Sequence, residues 1–485
     1  MHPTQSTAWD HVGVEFRRIW GYDDFRSPQG EIVHSLLAKQ DALIVMPTGG
    51  GKSICFQLPA LLQTGLTLVV SPLVALMENQ VRELQQRLQL QQSVALLHSE
   101  LPNYQRYQVL RALTGQQLRL LYLSPETLLS EPVWQQLCQP QIKINGLILD
   151  EAHCLVQWGD TFRPAYRRLG AVRPALLQVK PPGTQMAIAA FTATADPQAQ
   201  RIIQQVLQLQ DPQIFLINPY RPNLFLKAQI AWTPRGRRQR LLQFIRPRGG
   251  QAGLVYVRTR NDSEQLAAWL EKQGCKTAAY HAGISPEERR AIEAGWLGND
   301  FKFVVCTSAF GMGINAPGVR WVVHFHAPAL LSEYVQEIGR AGRDSNPAET
   351  LMLVSESTGW LDPEDQQRQQ FFQNRERQQR QIAQQLMGQI PTQGKVSAVA
   401  QQFKHGAIAL SLLHSTGQLK WQDPFHYIIN RSAASYSPMA LPAHGMAQYL
   451  KTNQCRWKFI LEAFGFPQDA AALQKGCGHC DRCLS

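Results

Sequence analysis

Charge is scarce in this 485-residue sequence: Asp, Glu, Lys and Arg together make up 17%, against 44% hydrophobic residues. That balance supplies ample apolar material for packed cores and excludes disordered-tail and fibrous classes. Long apolar runs are also missing. Apolar-rich stretches such as 66–70 and 142–149 stop far short of the ~20 residues a membrane span needs. The opening residues MHPTQSTAWDHVGVEF lack a basic segment followed by an apolar one, so no secretory leader is expected. A soluble, cytoplasmic protein without membrane contact is the expectation. No internal repeat of roughly 20–50 residues is visible, and the length suits about three domains.

Acid is absent from one whole stretch. Tyr220 to Arg260 holds ten Lys or Arg and no Asp or Glu, within a formal net charge of +12. Such a run is ordinarily a solvated surface. It falls, however, where two lobes are expected to join, a place a nucleic-acid backbone could track. Cysteine is sparse except at one end. Cys55, Cys138, Cys154, Cys275 and Cys306 are scattered in apolar surroundings and read as small buried hydrophobes in a reducing compartment. Cys455, Cys477, Cys480 and Cys483 crowd into the final 31 residues.

Short, continuous apolar runs recur, separated by helix-length segments. They lie at 42–46, 66–72, 94–99, 118–124, 144–151, 186–195 and 214–218, and a second set follows at 253–257, 277–283, 301–308, 319–325 and 350–355. Runs without alternation suit strands covered on both faces, as in parallel sheets. The fold class is therefore α/β: two tandem doubly wound lobes, over 1–218 and 219–356, with Pro219–Gly250 read as a linker. Residues 357–445 read as mostly helical. Within them, 394–432 suggest two helices and a hairpin, a winged-helix-like unit or a small helical hairpin. Residues 446–485 form the cysteine-bearing end.

Met46-Pro47-Thr48-Gly49-Gly50-Gly51-Lys52-Ser53 lies between a strand and an apolar helix. Its glycines let backbone N–H groups surround phosphate oxygens, and the helix N-terminus adds positive potential. Lys52 can reach the β- and γ-phosphates, and the Ser53 hydroxyl can ligate Mg²⁺. Roughly a hundred residues on, an apolar run ends in Asp150-Glu151-Ala152-His153. Asp150 is assigned to Mg²⁺ and Glu151 to polarising the attacking water. The two motifs together imply hydrolysis of a nucleoside triphosphate, with ATP and Mg²⁺ as the expected cofactors.

MPTGGGKS, DEAH, AFTATA (190–195), AFGMGIN (309–315) and QEIGRAGRD (336–344), in this order, resemble the motif series of superfamily 2 helicases. Their spellings resemble the RecQ family of DNA helicases. The resemblance implies two RecA-like lobes and an ATP-driven motor. That motor would translocate 3′ to 5′ on single-stranded DNA and unwind duplex DNA in replication, recombination or repair. It implies that Tyr22 stacks on the adenine while Arg26 and Gln29 bond near it. It implies that Arg340 and Arg343 act as arginine fingers, that His153 and Gln336 sense the γ-phosphate or water, and that Thr192 and Thr194 relay lobe motion. Gln157, Trp158, Phe162 and Arg163 resemble the family's aromatic-rich loop, implying contact with single-stranded DNA through stacking and phosphate binding. Asp160 stands where the family has His, so weaker stimulation of ATP hydrolysis by single strands is expected.

Cys477-x-x-Cys480-x-x-Cys483 offers three thiolates at metal-ligand spacing, and Cys455 can be the fourth. Disulfides are the rival reading. RecQ helicases carry such a four-cysteine module, so the resemblance implies structural Zn²⁺, with the cysteines and not His479 as ligands. The chain stops two residues after Cys483, so the winged-helix and HRDC domains that often follow are expected to be absent from that end. A monomer is expected, with single-strand-binding or recombination proteins as its protein partners. The alternatives are an RNA helicase on the same scaffold and a non-enzymatic, zinc-stabilised scaffold with a relic ATP site.

Overall fold

A strand with every residue buried must be covered on both faces, and helices do this for a parallel sheet. The computed structural model describes residues 5–88, 93–156, 163–310, 316, 318–356, 358–431 and 445–484. They fall into two compact units. One comprises Met1–Met46, Gly50–Leu216 and Arg375–Ala440, the other Pro47–Gly49, Ile217–Asn374 and Leu441–Ser485.

The first unit is built on seven strands: β1 (Ala42–Val45), β2 (Leu66–Val70), β3 (Val94–Leu97), β4 (Leu120–Leu123), β5 (Ile144–Leu149), β6 (Ala187–Thr192) and β7 (Gln213–Leu216). All pair in parallel, in the order β3-β4-β2-β5-β6-β1-β7. The inner strands are wholly buried, whereas edge strand β7 is largely exposed. Leu43, Leu68, Leu121, Leu147 and Ile188 anchor one face of the core. Asp41, just before β1, is buried and pairs with Arg173 at 2.7 Å. It also accepts the N–H of Ile188 (2.8 Å), which locks the start of β6 beside that of β1.

The second unit carries β8 (Leu224–Ala231), β9 (Gly253–Tyr256), β10 (Thr277–Tyr280), β11 (Phe303–Cys306), β12 (Trp321–His324) and β13 (Ala348–Ser355). They too pair in parallel, in the order β10-β11-β9-β12-β13-β8. The segment read as a linker is therefore wrong in part. It contains β8 and the helix Pro234–Ile245, whose N-cap Thr233 accepts the N–H of Gly236. Scattered Pro, Arg and Gly masked an edge strand with mixed exposure. Arg237 is fully buried and bonds Asp362, Asp365, Ser355 and the Phe325 carbonyl. It thereby fixes the helix to the ends of β12 and β13.

The 24-residue helix Glu364–Met387 carries the chain from the second unit into the first. There β14 (Gln393–Lys395), helices Val396–Gln402 and Gly406–Ser415, β15 (Leu419–Trp421) and β16 (His426–Ile429) form a small module. Its antiparallel sheet has the order β14-β16-β15, so two helices and a hairpin are present. The sequence reading missed the short strand β14. Ala171 of the first lobe joins the module's core of Val399, Leu410, Leu413, Trp421 and Tyr427. Arg168 donates to the Pro424 carbonyl at 3.1 Å, and the Trp134 and Phe425 rings meet edge-on at 5.3 Å. The module is part of the first lobe's packing. Among the described residues, no helix is long and apolar enough to cross a membrane.

His414 sits in this module against Trp421. Burial, and then the Arg167 charge, lower its pKa to about 4. The unfolded chain, with an imidazole near 6.5, then binds the proton first as pH falls. Stability from this group is complete above pH ~6.5 and is lost progressively down to pH ~4. Lowering pH from 7 to 5.5 should cost about 1 kcal/mol, measured by thermal unfolding, and His414→Leu should reduce that loss. An equal loss in the variant would contradict the assignment.

Candidate nucleotide and metal sites

In the first unit, the strand order places β5, β6 and β1 side by side with their carboxyl ends on one edge. The glycine-rich loop leaves β1 there. Gly49 and Gly51 have φ of 84° and 78°, left-handed values that a glycine adopts without strain. Lys52 begins the helix Lys52–Leu62, and its Nζ donates back to the Met46 carbonyl at 3.0 Å, holding the loop closed. Ser53 follows, half-buried. Gln29 is buried. Its Nε2 donates to the Gly50 carbonyl at 2.9 Å and its Oε1 accepts the Arg26 N–H at 3.0 Å. The residue expected near the base thus also ties that region to the phosphate loop. A Cβ on Gly51 would lie 2.4 Å from that amide nitrogen and would displace the Gln29 side chain, besides straining the left-handed backbone. Tyr22 is 49% exposed, with its ring 6.0 Å from Phe16 in a tilted arrangement. Arg26 is exposed.

Asp150 and Glu151 are buried at the end of β5. Asp150 Oδ2 accepts from Gln80 Nε2 at 3.3 Å, and Oδ1 accepts the Glu151 N–H at 3.1 Å. Burial, and then the neighbouring Glu151 carboxylate, push Asp150 up to about 6, against the pull of Lys52 and the Gln80 bond. Two buried adjacent carboxylates that disfavour each other's charge, within reach of the Lys52 charge, fit a divalent cation with hard oxygen ligands. Glu151 itself has φ 52°, ψ 47°, a left-handed conformation costing a non-glycine residue ~1–2 kcal/mol. Strain of this kind concentrates at functional positions. His153 Nδ1 lies 3.2 Å from Glu151 Oε2 and 3.1 Å from Thr192 Oγ1 at the end of β6. Burial works against charge on His153, yet the adjacent Cys154 and Glu151 groups outweigh it and raise its pKa well above the ordinary value. Thr192 also accepts the Thr194 N–H at 3.2 Å.

Gln336 lies on the helix Leu331–Ile338 of the second unit, and Arg340 and Arg343 follow it. Arg340 is buried, and its charge acts on the buried Tyr256 hydroxyl. Burial, and then the Arg340 charge, lower Arg343 to about 10. Buried Glu337 accepts from His324 Nε2 (2.8 Å) and Arg258 Nη2 (3.2 Å), which fixes this helix to the ends of β9 and β12. Gln157, Trp158 and Phe162, like Asp160, lie outside the described residues. Arg163 is described, and it faces Glu126 at 3.5 Å on the surface.

The four sulfurs of Cys455, Cys477, Cys480 and Cys483 all lie within 4.8 Å of one another. Three pairs stand at 3.9, 4.0 and 3.5 Å, near the ~3.8 Å edge of a tetrahedron with Zn–S of about 2.3 Å. The N–H groups of Cys477 and His479 donate to the sulfurs of Cys455 and Cys477, both at 3.3 Å, which stabilises thiolates. Gly476, at φ 137°, leaves the room that a Cβ would take from Cys483 Sγ, 2.5 Å away. The donor set and its cradle fit zinc. His479 instead turns its Nδ1 to the Cys477 carbonyl at 2.6 Å.

Three residues the sequence reading missed hold this module on β8. Arg456 clamps Asp481 (2.8 Å), and Asp481 accepts the Ala228 N–H (3.0 Å). Trp457 Nε1 donates to the Leu224 carbonyl at 3.2 Å. Their places beside the ligands Cys455 and Cys480 were the available signal.

Three family models match the chain in sequence order. The DEAD/DEAH box helicase model covers residues 26–202, the helicase conserved C-terminal domain 236–345 and the RecQ zinc-binding model 431–484. With the two parallel sheets and the Gly-Lys-Ser and Asp-Glu sites, these define a two-lobed helicase motor with an appended zinc module. An ATP-dependent DNA helicase RecQ of Synechocystis sp. is 52% identical over 471 residues, 96% of this chain and 97% of that one. The Haemophilus influenzae protein of the same description is 38% identical over 360 residues, covering 73% of this chain and 56% of that one. The chain belongs to the RecQ family. Among solved structures, S. cerevisiae Dbp5 bound to RNA and ADP BeF3 aligns with a TM-score of 0.59 at 15% identity, over 75% of this chain and 93% of that one. Mycobacterium smegmatis Lhr bound to ssDNA and AMP-PNP aligns at 0.57 and 18%, over 85% and 59%. These two agree in fold.

Gly476→Ala should lower zinc content as strongly as Cys480→Ala does, measured as zinc per chain by elemental analysis. Full zinc occupancy in Gly476→Ala would contradict the cradle.

Proposed function

We propose the following division of labour in this RecQ-type, ATP-dependent DNA helicase. The N–H groups of Thr48–Gly51 and the Lys52 ammonium bind the β- and γ-phosphates. Tyr22 stacks on the adenine, with Arg26 and Gln29 beside it. Asp150 and Ser53 hold Mg²⁺, which when bound screens phosphate charge and polarises the γ-phosphoryl group. Glu151, steadied by His153, orients the attacking water and receives its proton. Arg340 and Arg343 act as arginine fingers on the γ-phosphate, and Gln336 and His153 report its loss. Zn²⁺ on Cys455, Cys477, Cys480 and Cys483 has a structural role, since four protein ligands leave no open position.

The observation that carries this reading is the pairing of a closed Gly-Lys-Ser loop with a strained, buried Asp150–Glu151 pair on one sheet edge. Neither feature helps the fold alone. Gln157, Trp158, Phe162 and Arg163 contact single-stranded DNA, and the polarity is 3′ to 5′. Phosphate contacts dominate DNA affinity, which makes it salt-sensitive and largely sequence-independent. The protein works as a monomer in the cytoplasm on single-stranded and duplex DNA in replication, recombination or repair, alongside single-strand-binding or recombination proteins.

Lys52→Ala should lower ATP turnover at least about a hundredfold, the scale of losing one such electrostatic contact, and abolish strand displacement. Zinc content and melting temperature should stay as in wild type. Strand displacement on 3′-tailed, 5′-tailed and forked DNA, with a matched RNA duplex, tests polarity and sugar preference. Preference for the 5′ tail or for RNA would overturn those parts.

The small module of 393–431 also contacts duplex DNA. Lys395, Lys404 and Lys420 are exposed on it. Reversing Lys404 and Lys420 to Glu should slow unwinding severalfold while sparing single-strand-stimulated ATP hydrolysis, comparing both rates in one preparation. Equal effects on the two, or none, would defeat the assignment.

A further inference from the structure

We infer that Gln80 is a positioning residue of the cation site, holding Asp150 with one end of its amide and a water of the magnesium shell with the other. The inference rests on the reading of Asp150 as the magnesium ligand. Gln80 lies in the helix Val74–Leu88, which follows β2. That strand pairs with β5 through Val70↔Leu149, and the Asp150 N–H itself donates to the Val70 carbonyl at 2.9 Å. The helix therefore starts beside the residue that ends β5. From it, Gln80 Nε2 reaches Asp150 Oδ2 at 3.3 Å, while the Glu151 N–H holds Oδ1 at 3.1 Å. Both carboxylate oxygens are engaged, so the plane of the carboxyl group is fixed.

The other end of the amide is the informative one. Gln80 Oε1 is buried and has no hydrogen-bond partner among the described residues. Buried acceptors are rarely left unfilled, because the loss of hydration is not regained. A glutamine serving only to cap Asp150 could turn its oxygen to solvent. Mg²⁺ binds through one or two carboxylates and keeps several waters, and those waters are donors. An amide that donates to the ligand and accepts from a bound water complements both layers of such a site. Partners of this kind orient the ligands, and their loss typically weakens metal binding about 10- to 100-fold.

The test uses the full chain with a fluorescent ATP analogue, titrated with Mg²⁺ and read by fluorescence anisotropy. Gln80→Met keeps the shape and packing, and Gln80→Ala is the second variant should Met distort the helix. Each should need about tenfold more Mg²⁺ for half-maximal response. Metal-free analogue binding and melting temperature should match wild type, and excess Mg²⁺ should restore turnover. A merely structural role would not be rescued by the ion. Unchanged Mg²⁺ dependence in both variants, or turnover that stays low at saturating Mg²⁺, overturns the inference. Asp150→Asn separates the two layers. If it abolishes the Mg²⁺ response while Gln80→Met leaves it unmoved, Gln80 alone is wrong. If Asp150→Asn responds normally, the ligand reading fails and the inference falls with it.

Discussion

Parallel pairing of β5, β6 and β1 is the constraint from which the site follows. Three adjacent parallel strands end on the same edge, and neighbouring strands lie about 4.8 Å apart. The loop after β1 and the acids after β5 are therefore about 10 Å apart at their roots, a distance that a triphosphate and its cation can bridge. Thr192 ends the strand between them and touches His153. Turning any one of these strands antiparallel would send its terminal residues to the opposite edge. The Asp41 carboxylate, bonded to Arg173 and the Ile188 N–H, holds the other ends of β1 and β6 together. Stability and chemistry thus occupy opposite edges of one sheet.

The residues at the chemical edge fit the fold less comfortably than those at the structural edge. Glu151 adopts a left-handed backbone that glycine would tolerate better. Asp150 is a buried carboxylate pushed toward neutrality by burial and Glu151, and Gln80 holds a buried oxygen with no donor among the described residues. Each is unfavourable in isolation, and a bound divalent cation with its waters would relieve the last two. The structural edge, by contrast, has every group of Asp41 engaged.

The second unit solves a different problem. Its sheet ends in β8, an edge strand that would present unpaired backbone groups. The zinc module covers it. Asp481 takes the Ala228 N–H, the Leu226 N–H donates to the His479 carbonyl at 3.3 Å, and Trp457 donates to the Leu224 carbonyl. Each contact residue lies within two positions of a cysteine ligand, so binding the metal and covering the edge are one structural event. This accounts for a small, loop-rich segment that packs on the lobe through Tyr449, Trp457 and Phe459.

Local signals were enough for much of this. Continuous apolar runs marked twelve of the thirteen lobe strands, most of them largely buried, where no alternation interrupts the run. The Gly-Lys-Ser loop and the acids after β5 were visible because phosphate and metal chemistry restricts residue type at fixed offsets. Cysteine spacing showed the metal site for the same reason. β8 was hidden because its half-buried pattern mixes polar with apolar residues amid Pro, Arg and Gly, and its outer side is covered by a module some 250 residues away. The packing of 393–431 against Trp134, Arg168 and Ala171 was likewise invisible, since nothing in a local pattern says which distant surface an apolar face will meet. Gln80 looked like one more glutamine in a glutamine-rich helix. Its amide gains meaning only when strand pairing brings Asp150 within reach. Sequence determined which chemistries the chain can perform, because those depend on residue type and short spacing. Tertiary structure decided which residues cooperate in them, because that depends on strand order and on contacts between segments far apart in the chain.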